Sequence, residues 1–186
     1  RHFERTGLQV DVSDSELPFR YRNRYINEAT PKVSIVIPTK DHSQLLQRCL
    51  TSVLEKTTYQ NYDITLVENN STEQETFAYY DRIQDQNEKI KVVTWPGTGF
   101  NYSAICNYGA AHCDGEILLF LNNDTVIING DWLDSMVGFF ARPEVGIVGA
   151  KLLFPDNLVQ HGGVWVSADH VGYLSDMLSD KDGGYM

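Results

Sequence analysis

Leu118-Leu119-Phe120-Leu121-Asn122-Asn123-Asp124 is the stretch of sequence that decides the expected fold. An apolar run of strand length ends abruptly in two amides and a carboxylate, which places oxygen ligands at the rim of a sheet. Hard cations such as Mg²⁺ and Mn²⁺ prefer oxygen ligands and are often held by one or two carboxylates, with substrate phosphates completing the shell. The segment therefore predicts an apolar strand with a divalent-cation site at its carboxyl end.

On both sides of this stretch, strand-like runs alternate with helical patterns. Val33-Ser34-Ile35-Val36-Ile37 is a β-branched run closed by Pro38, which suits a buried strand of a parallel sheet. Four alternations with short connections predict an α/β fold, with a mostly parallel sheet, helices on both faces and right-handed crossovers. The predicted strands are Val10–Val12, Val33–Ile37, Asp63–Val67, Ile90–Thr94, Ile117–Leu121, Val145–Phe154 and Val159–Val166. The predicted helices are Ser43–Glu55 (capped by Ser43), a polar helix from the Asn69–Thr72 turn to Gln86, Tyr102–His112 and Asp131–Phe140.

Polar residues follow each of the four main predicted strands. Ligands of open α/β sheets bind beyond the carboxyl ends of the strands, near the point where strand order reverses. Asn, Asp, Thr and Gly are also common turn formers, which explains any one of these loops taken alone. Four such loops at successive strand ends favour a shared polar pocket. They are Pro38-Thr39-Lys40-Asp41, Glu68-Asn69-Asn70-Ser71, the segment from Gly97 to Ser103, and Asn122-Asn123-Asp124.

Several common catalytic motifs are missing from the sequence. Gly97-x-Gly99 lacks the third glycine of a dinucleotide fingerprint, because Tyr102 stands in its place, and it follows the third strand rather than the first. The chain has no G-x-x-x-x-G-K-[ST], no G-x-S-x-G and no H-E-x-x-H. The sequence therefore offers no visible machinery for a P-loop kinase, a serine hydrolase or a zinc peptidase.

The charge and the cysteines limit the possible partners of the protein and its possible cellular location. The chain of 186 residues has a formal net charge of −10, and residues 114–186 carry 11 acids and 3 bases. This acidic half argues against a nucleic-acid partner and fits either a divalent-cation site or a solvated face. No apolar run approaches the roughly 20 residues of a membrane span. Three cysteines without a C-x-x-C pair favour a reduced, cytoplasmic location, with the inner face of the cell membrane as a further option through a larger parent protein.

From Pro31 to Gly172 the chain resembles the family 2 glycosyltransferases of GT-A fold. The likeness is closest to their rhamnosyltransferase-like branch, which writes the Asp-x-Asp metal motif as Leu-Asn-Asn-Asp, here Leu121 to Asp124. The other shared motifs are Phe100-Asn101-Tyr102-Ser103-Ala104, Asn107-Tyr108-Gly109-Ala110, Gly149-Ala150-Lys151-Leu152-Leu153, Pro155-Asp156 and Gln160-His161-Gly162-Gly163.

The resemblance implies a set of site residues. Thr39 and Asp41 would lie along base and ribose, and Glu68 would face the pyrimidine edge in place of the more frequent Asp. Asn122 replaces the first Asp of Asp-x-Asp, so Asp124 is the expected metal ligand and Asn122 is expected to turn toward ribose. The family's Ala-Arg-Asn aligns with Ile105-Cys106-Asn107, so its Arg is absent. The substrate-binding residues predicted in this way are Pro38, Thr39, Asp41, Glu68, Asn70, Phe100, Asn101, Ser103, Asn107, Asn122, Asn123 and His161.

Three individual residues keep two interpretations each at this point. His161 faces either the pocket or a surface turn. Tyr102 either covers the nucleotide or stabilises the start of its helix. Trp95 is expected in the core or at an interface rather than as a sugar platform.

The activity implied by the resemblance is inverting transfer of a sugar from UDP or dTDP to a glycan or lipid-linked acceptor, with Mn²⁺ or Mg²⁺ as cofactor. Rhamnose is the sugar that the branch suggests, and surface polysaccharide synthesis is the process. Residues 1–30 are expected to be a lead-in and 31–186 a nucleotide-sugar domain that is incomplete on its acceptor side. The catalytic general base is expected beyond Met186. A non-catalytic nucleotide-binding or scaffold module is the main alternative, and a nucleotidyltransferase ranks third.

Overall fold

The computed structural model describes residues 2–15, 21–174 and 177–179. It divides into two compact units, one formed by residues 1–27 with 135–186 and the other by 28–134. None of the described helices is long and apolar enough to cross a membrane. The helices are α1 (His2–Thr6), α2 (Ser43–Lys56), α3 (Gln74–Gln86), α4 (Tyr102–Ala110) and α5 (Trp132–Gly138). The strands are β1 (Val10–Asp14), β2 (Tyr21–Tyr25), β3 (Val33–Thr39), β4 (Tyr62–Glu68), β5 (Ile90–Thr94), β6 (Ile117–Phe120), β7 (Leu152–Leu153), β8 (Val159–His161), β9 (Val164–Val166) and β10 (Val171–Tyr173).

The unit of residues 28–134 is built on a four-stranded sheet in the order β5-β4-β3-β6. All three strand pairs are parallel. The inner strands β3 and β4 are buried almost along their whole length, as expected when both faces of a parallel sheet are covered. The predicted α/β class and its parallel sheet are confirmed.

The order of the strands reverses next to β3. The chain moves outward from β3 through β4 to β5, then returns to pair β6 on the other side of β3. The carboxyl ends of β3 and β6 therefore flank a topological switch point, where α/β proteins bind their ligands. Thr39 ends β3 and Asn122 follows β6 closely, so the two sequence segments predicted to hold the site meet at this point.

Helix α4 packs closely on the sheet. Ile105 is fully buried and packs with Val36 of β3 and Val67 of β4. Gly109, one turn further along, comes so near that a Cβ there would lie 2.5 Å from Val36 Cγ1 and 2.6 Å from Val67 Cγ2. Trp95 and Tyr108 pack against the same cluster at half-buried positions, so the core interpretation of Trp95 is confirmed.

Helix α2 agrees with the predicted range but not with its predicted start. Leu46, Cys49, Leu50 and Val53 are buried on one face, whereas Leu45 is exposed. Ser43 is not the N-cap: His42 takes that position in a left-handed conformation without a side-chain cap, and the Ser43 hydroxyl donates instead to Glu75. The predicted cap was one residue too late, because the helix already begins at Ser43.

The unit of residues 1–27 and 135–186 contains small antiparallel pairs. β1 pairs with β2, and Tyr25 contacts the rings of Phe3 and Phe139. The strand at Val10 was predicted, but β2 was not, because its sequence Tyr-Arg-Asn-Arg-Tyr is largely exposed and lacks an apolar alternation.

Two later strand predictions were wrong in extent. Only Leu152 and Leu153 form a strand within residues 145–154, and Ile147 is 92% exposed. The predicted strand Val159–Val166 is divided into β8 and β9 because Gly163 adopts φ +128°, a conformation that a continuous strand does not use.

Candidate functional site

The carboxyl edge of the parallel sheet brings the four predicted loops together. Thr39 pairs with Glu68, Glu68 pairs with Thr94, and Val36 pairs with Phe120 in the sheet register. Parallel pairing sends every following loop to the same side. The polar residues after these strands therefore share one edge, as the sequence pattern predicted.

Thr39 links two of these loops. Its side chain is buried at the end of β3, and its Oγ1 accepts a hydrogen bond of 3.3 Å from Nδ2 of Asn123. Pro38 precedes it at a half-buried position. The contact joins the β3 end to the β6 end across the switch point.

Asp41 uses its carboxylate within the protein. Oδ1 accepts hydrogen bonds from the backbone N–H of Thr72 (2.7 Å) and Glu73 (2.9 Å), and the Asp41 N–H donates to Ser71 Oγ at 3.0 Å. The bonds from Glu73 and Thr72 hold the pKa of the Asp41 carboxyl below its ordinary value. Asp41 thus joins the loop after β3 to the loop after β4, a role that its predicted place along base and ribose did not include.

Glu68 and Asn70 also make contacts within the protein. Glu68 is buried, and its carboxylate accepts a hydrogen bond from the Ser71 N–H, which closes the turn after β4. Asn70 is exposed at φ +54°, and its Nδ2 donates to Asn69 Oδ1 and to the Gly97 carbonyl at 3.0 Å. Asn70 therefore connects the β4 loop to the β5 loop.

The loop after β5 rests on a tryptophan. A Cβ at Gly97 would fall 2.2 Å from the Trp95 ring, so only glycine allows the backbone to lie this close. Phe100 is 77% exposed, and Asn101 caps helix α4 by accepting from the Ala104 N–H at 3.0 Å. Asn101 thereby performs a helix-capping function besides any ligand contact.

Ser103 and Asn107 are exposed on α4. Tyr102, between Asn101 and Ser103, donates a hydrogen bond of 3.3 Å to Asn122 Oδ1, and burial raises the pKa of the Tyr102 phenol. This contact ties the start of α4 to the end of β6. The position of Tyr102 at the helix start agrees with the second interpretation, and covering of the nucleotide by its ring stays a prediction.

Asp124 is an exposed carboxylate at this edge, with Asn122 exposed and Asn123 half-buried beside it. Cys49 supports the same loop from below: its Sγ donates to the Asn122 carbonyl at 3.6 Å, and burial raises the pKa of the thiol to about 12. No group of three or more His, Cys, Asp or Glu side chains among the described residues could hold a metal. The donor set fits a cation held by Asp124 with amide and substrate oxygens, the arrangement that Mg²⁺ tolerates well.

His161 lies in the other compact unit. It ends β8, pairs with Leu152, and contacts the Tyr173 ring at 5.7 Å. Its predicted part in substrate binding stays a prediction.

Sequence reasoning missed Tyr80, whose hydroxyl reaches this edge from helix α3. Ser71 was recognised only as part of a turn, although it contacts Asp41, Glu68 and Tyr80. The loop composition pointed to Ser71, whereas no sequence signal distinguished Tyr80 from other apolar-face residues of α3.

A model of the family described as "Glycosyl transferase family 2" matches residues 34–161, which include all of the parallel sheet except its first residue, Val33, together with the carboxyl-edge loops. The chain belongs to glycosyl transferase family 2. The sequence resemblance to this family is thereby confirmed.

Two relatives of this family 2 domain are similar over most of its length. The O-antigen biosynthesis protein RfbC of Myxococcus xanthus is 46% identical over 165 residues, which are 89% of this chain and 13% of that protein. The uncharacterized protein y4gI of Sinorhizobium fredii is 40% identical over 173 residues, 93% of this chain and 19% of that protein. The chain thus spans less than a fifth of the length of either relative.

Solved structures share the fold of this family 2 domain at lower identity. The mannosyltransferase PcManGT from Pyrobaculum calidifontis, in complex with GDP-Man and Mn²⁺, has a TM-score of 0.56 and 22% identity, covering 62% of this chain and 34% of that one. S. aureus TarS 1-349 has a TM-score of 0.51 and 21% identity, covering 59% of this chain and 32% of that one. These likenesses support the fold.

Proposed function

We propose that this domain binds a nucleoside-diphosphate sugar at the carboxyl edge of its parallel sheet and transfers the sugar to a glycan or lipid-linked acceptor. The observation that carries the proposal is the meeting of four polar strand-end loops around the switch point, with the exposed Asp124 among them. Membership of family 2 and 46% identity to an O-antigen biosynthesis protein favour a role in surface polysaccharide synthesis. The proposed location is cytoplasmic, with the parent protein at the inner face of the cell membrane.

The proposed cofactor is Mn²⁺ or Mg²⁺, held by the Asp124 carboxylate. The cation supplies Lewis-acid stabilisation of the negative charge that develops on a departing nucleoside diphosphate. PcManGT, a protein of similar fold, is described in complex with Mn²⁺ and GDP-Man, which makes a divalent cation a reasonable cofactor to test here.

The proposed reaction is a single displacement with inversion. The acceptor hydroxyl oxygen bonds to the anomeric carbon, the bond from that carbon to the diphosphate oxygen breaks, and the hydroxyl proton passes to a general base. Asp41 and Glu68 are poor candidates for this base, because the carboxylate of each already accepts hydrogen bonds from the backbone of the β4 loop. We propose that the base comes from outside the carboxyl-edge loops.

The proposed donor nucleotide is UDP or dTDP, with rhamnose as the sugar. The basis is the predicted place of Glu68 opposite the pyrimidine edge, where a carboxylate accepts a hydrogen bond from N3–H. A site built around such a contact discriminates strongly against a base that leaves its polar groups unpaired. Glu68 is buried at the end of β4, where a fixed carboxylate suits this task.

The first test measures binding of UDP, dTDP and GDP by calorimetry, with and without Mn²⁺. We expect tight binding only with the cation, pyrimidine nucleotides ahead of GDP, and loss of the Mn²⁺ dependence in Asp124→Ala. Asp85→Ala removes another exposed aspartate, on α3, and serves as the matched control. Full metal dependence in Asp124→Ala would refute the assignment of the cation to this residue.

A non-catalytic nucleotide-binding module is the second candidate. One observation favours it: Asn122 occupies the first position of the Asp-x-Asp motif, and its amide oxygen is engaged by Tyr102. Product formation from dTDP-rhamnose or a UDP-sugar with an extracted glycan acceptor separates the two functions. Nucleotide binding without transfer by this chain and by a C-terminally extended one would support the module.

A further inference from the structure

Tyr80 is a buried tyrosine of α3 whose hydroxyl reaches the carboxyl edge of the sheet. The residue is 3% exposed, and its ring meets Phe77 edge-on with centroids 6.1 Å apart. Its hydroxyl lies 3.4 Å from Ser71 Oγ, and the side chain of Thr39 is also close by. One phenol oxygen therefore contacts the loop after β4, beside the end of β3.

Ser71 extends this contact to two further residues. It accepts from the Asp41 N–H at 3.0 Å and donates its own N–H to Glu68. Through Ser71, the Tyr80 hydroxyl thus belongs to a network that joins the loops after β3 and β4.

We propose that Tyr80 is a positioning residue of the nucleotide site, which fixes the base-and-ribose side of the pocket by holding Ser71 at its hydroxyl. This inference rests on the proposed function and adds a residue to it that does not touch the ligand. Networks of this kind rigidify a site when every member is satisfied, and leave buried groups unpaired when one member is removed.

Tyr80→Phe tests this role because it removes the hydroxyl and keeps the ring that packs against Phe77. Tyr79→Phe is the matched control, since Tyr79 is the adjacent residue of the same helix and is 6% exposed. We expect the Kd of UDP with Mn²⁺ to rise about three- to tenfold in Tyr80→Phe, the effect of one lost hydrogen bond. The Kd should stay within about twofold of the parent in Tyr79→Phe.

Pyrophosphate with Mn²⁺ provides a readout that a merely structural role would not produce. Pyrophosphate lacks base and ribose, so its affinity should be equal in the parent, Tyr79→Phe and Tyr80→Phe, whereas general loosening would weaken both ligands. A double-mutant cycle with Ser71→Ala completes the test. The effect of Tyr80→Phe on UDP should shrink in the Ser71→Ala background, because the two side chains act through one contact.

The outcomes separate this inference from the proposed function. A parent protein that binds no nucleotide would refute the proposed function and this inference with it. A parent that binds UDP, with Tyr80→Phe indistinguishable from Tyr79→Phe, would overturn the inference alone. Equal weakening of UDP and pyrophosphate binding, or full additivity with Ser71→Ala, would also overturn the inference alone.

Discussion

Asp41 lies in a turn whose backbone conformation is unusual for two residues in succession. Asp41 and His42 have φ +48° and +51°, and such left-handed conformations cost on the order of 1 kcal/mol each outside glycine. The turn is held by its contacts with the β4 loop, in which Asp41 bonds Thr72 and Glu73, and the His42 N–H donates to Glu73. The carboxylate of Asp41 therefore stabilises its own strained turn.

The first prediction concerns the pH dependence of this carboxylate. Because its pKa is lower in the folded protein, its stabilising contribution is present above the unfolded pKa of about 4 and is lost as pH falls through the folded value. Asp41→Asn should lower the melting temperature at pH 7. As pH falls from about 4 to about 2, the melting temperature of the variant should decrease less than that of the parent. Circular dichroism melts of parent and variant across this range check both effects.

Asp81→Asn, which changes an exposed aspartate of α3, is the control for this prediction. This variant should leave the decrease of the melting temperature at low pH the same as in the parent. An equally reduced decline of the melting temperature in both variants would show that overall charge, and not the hydrogen bonds of the Asp41 carboxylate, causes the acid sensitivity.

Single residues at the edge were predictable in position but only partly in role. Sequence alternation correctly located Asp41, Glu68 and Asn101 at strand and helix ends. It could not show that their side chains meet backbone N–H groups of the protein, because for Asp41 the partners lie 31 and 32 residues away in another loop. Tyr80 was not predicted for a related reason, because its hydroxyl reaches Ser71 only through the packing of α3 beside the β4 loop.

At the scale of elements, the close approach of α4 to the sheet leads to the second prediction. Gly109→Ala would place a Cβ within 2.6 Å of methyl groups on both Val36 and Val67. Overpacking of this kind costs about 1–3 kcal/mol, beyond the small gain in helix propensity. Chemical denaturation should therefore show a lower free energy of unfolding for Gly109→Ala.

A Val36→Ala background tests the cause of this loss. Removing the Val36 methyls relieves one of the two clashes, so the penalty of Gly109→Ala should be smaller there than in the parent. An unchanged penalty would mean that the helix moves as a whole and that the glycine is not needed for close packing.

The third prediction concerns the amino edge of the sheet, where one lysine joins three strands. Lys32 Nζ lies 2.5 Å from Asp114 Oδ1 and 2.7 Å from Asp63 Oδ2, at the starts of β3, β6 and β4. These bonds, led by the one to Asp114, raise the pKa of Lys32, so its stabilising effect is complete at neutral pH and is lost only as pH rises through that elevated value. Lys32→Met should lower the melting temperature at pH 7.

The Lys32→Met effect should depend on salt. Asp63 Oδ1 is buried without a hydrogen-bond partner in the described part of the chain, so losing Lys32 leaves this carboxylate uncompensated. The difference in melting temperature between parent and variant should narrow in part in about 1 M NaCl, because salt screens the ion pair with the mostly exposed Asp114 more than the one with the partly buried Asp63. Lys40→Met, at an exposed position, is the control and should show no such salt-dependent difference.

Elements with continuous apolar runs were well predicted, and short or polar ones were not. The strands β3 to β6 and the helices between them were identified because a buried parallel sheet requires unbroken Val, Ile and Leu sequences. Residues 145–154 are just as apolar, yet only Leu152 and Leu153 pair, since composition alone does not supply a partner strand. β2 forms from a polar sequence because β1 provides a partner strand.

At the scale of the whole molecule, the net charge of −10 leads to the fourth prediction. An anionic nucleotide approaches a protein of the same sign, and exposed charges interact over about 10 Å in 0.1 M salt. Raising NaCl from about 20 to 200 mM should tighten binding of metal-free UDP and weaken binding of Mn²⁺ measured alone. Calorimetry of each ligand separately checks both directions, and a parallel response of the two would contradict the charge argument.

The place of β6 in the sheet also has a consequence for how the molecule comes to be folded. β3, β4 and β5 each pair with a strand close in sequence, whereas Ile117 must return to Val33 across 84 residues. A chain emerging from the ribosome can assemble its near neighbours early, but this distant pairing closes late because the entropy of a long loop is paid first. We therefore expect the strand that leads to Asp124 to join the edge last. A ligand that binds only the finished edge would stabilise the folded state alone, and not chains in which this strand is still unpaired.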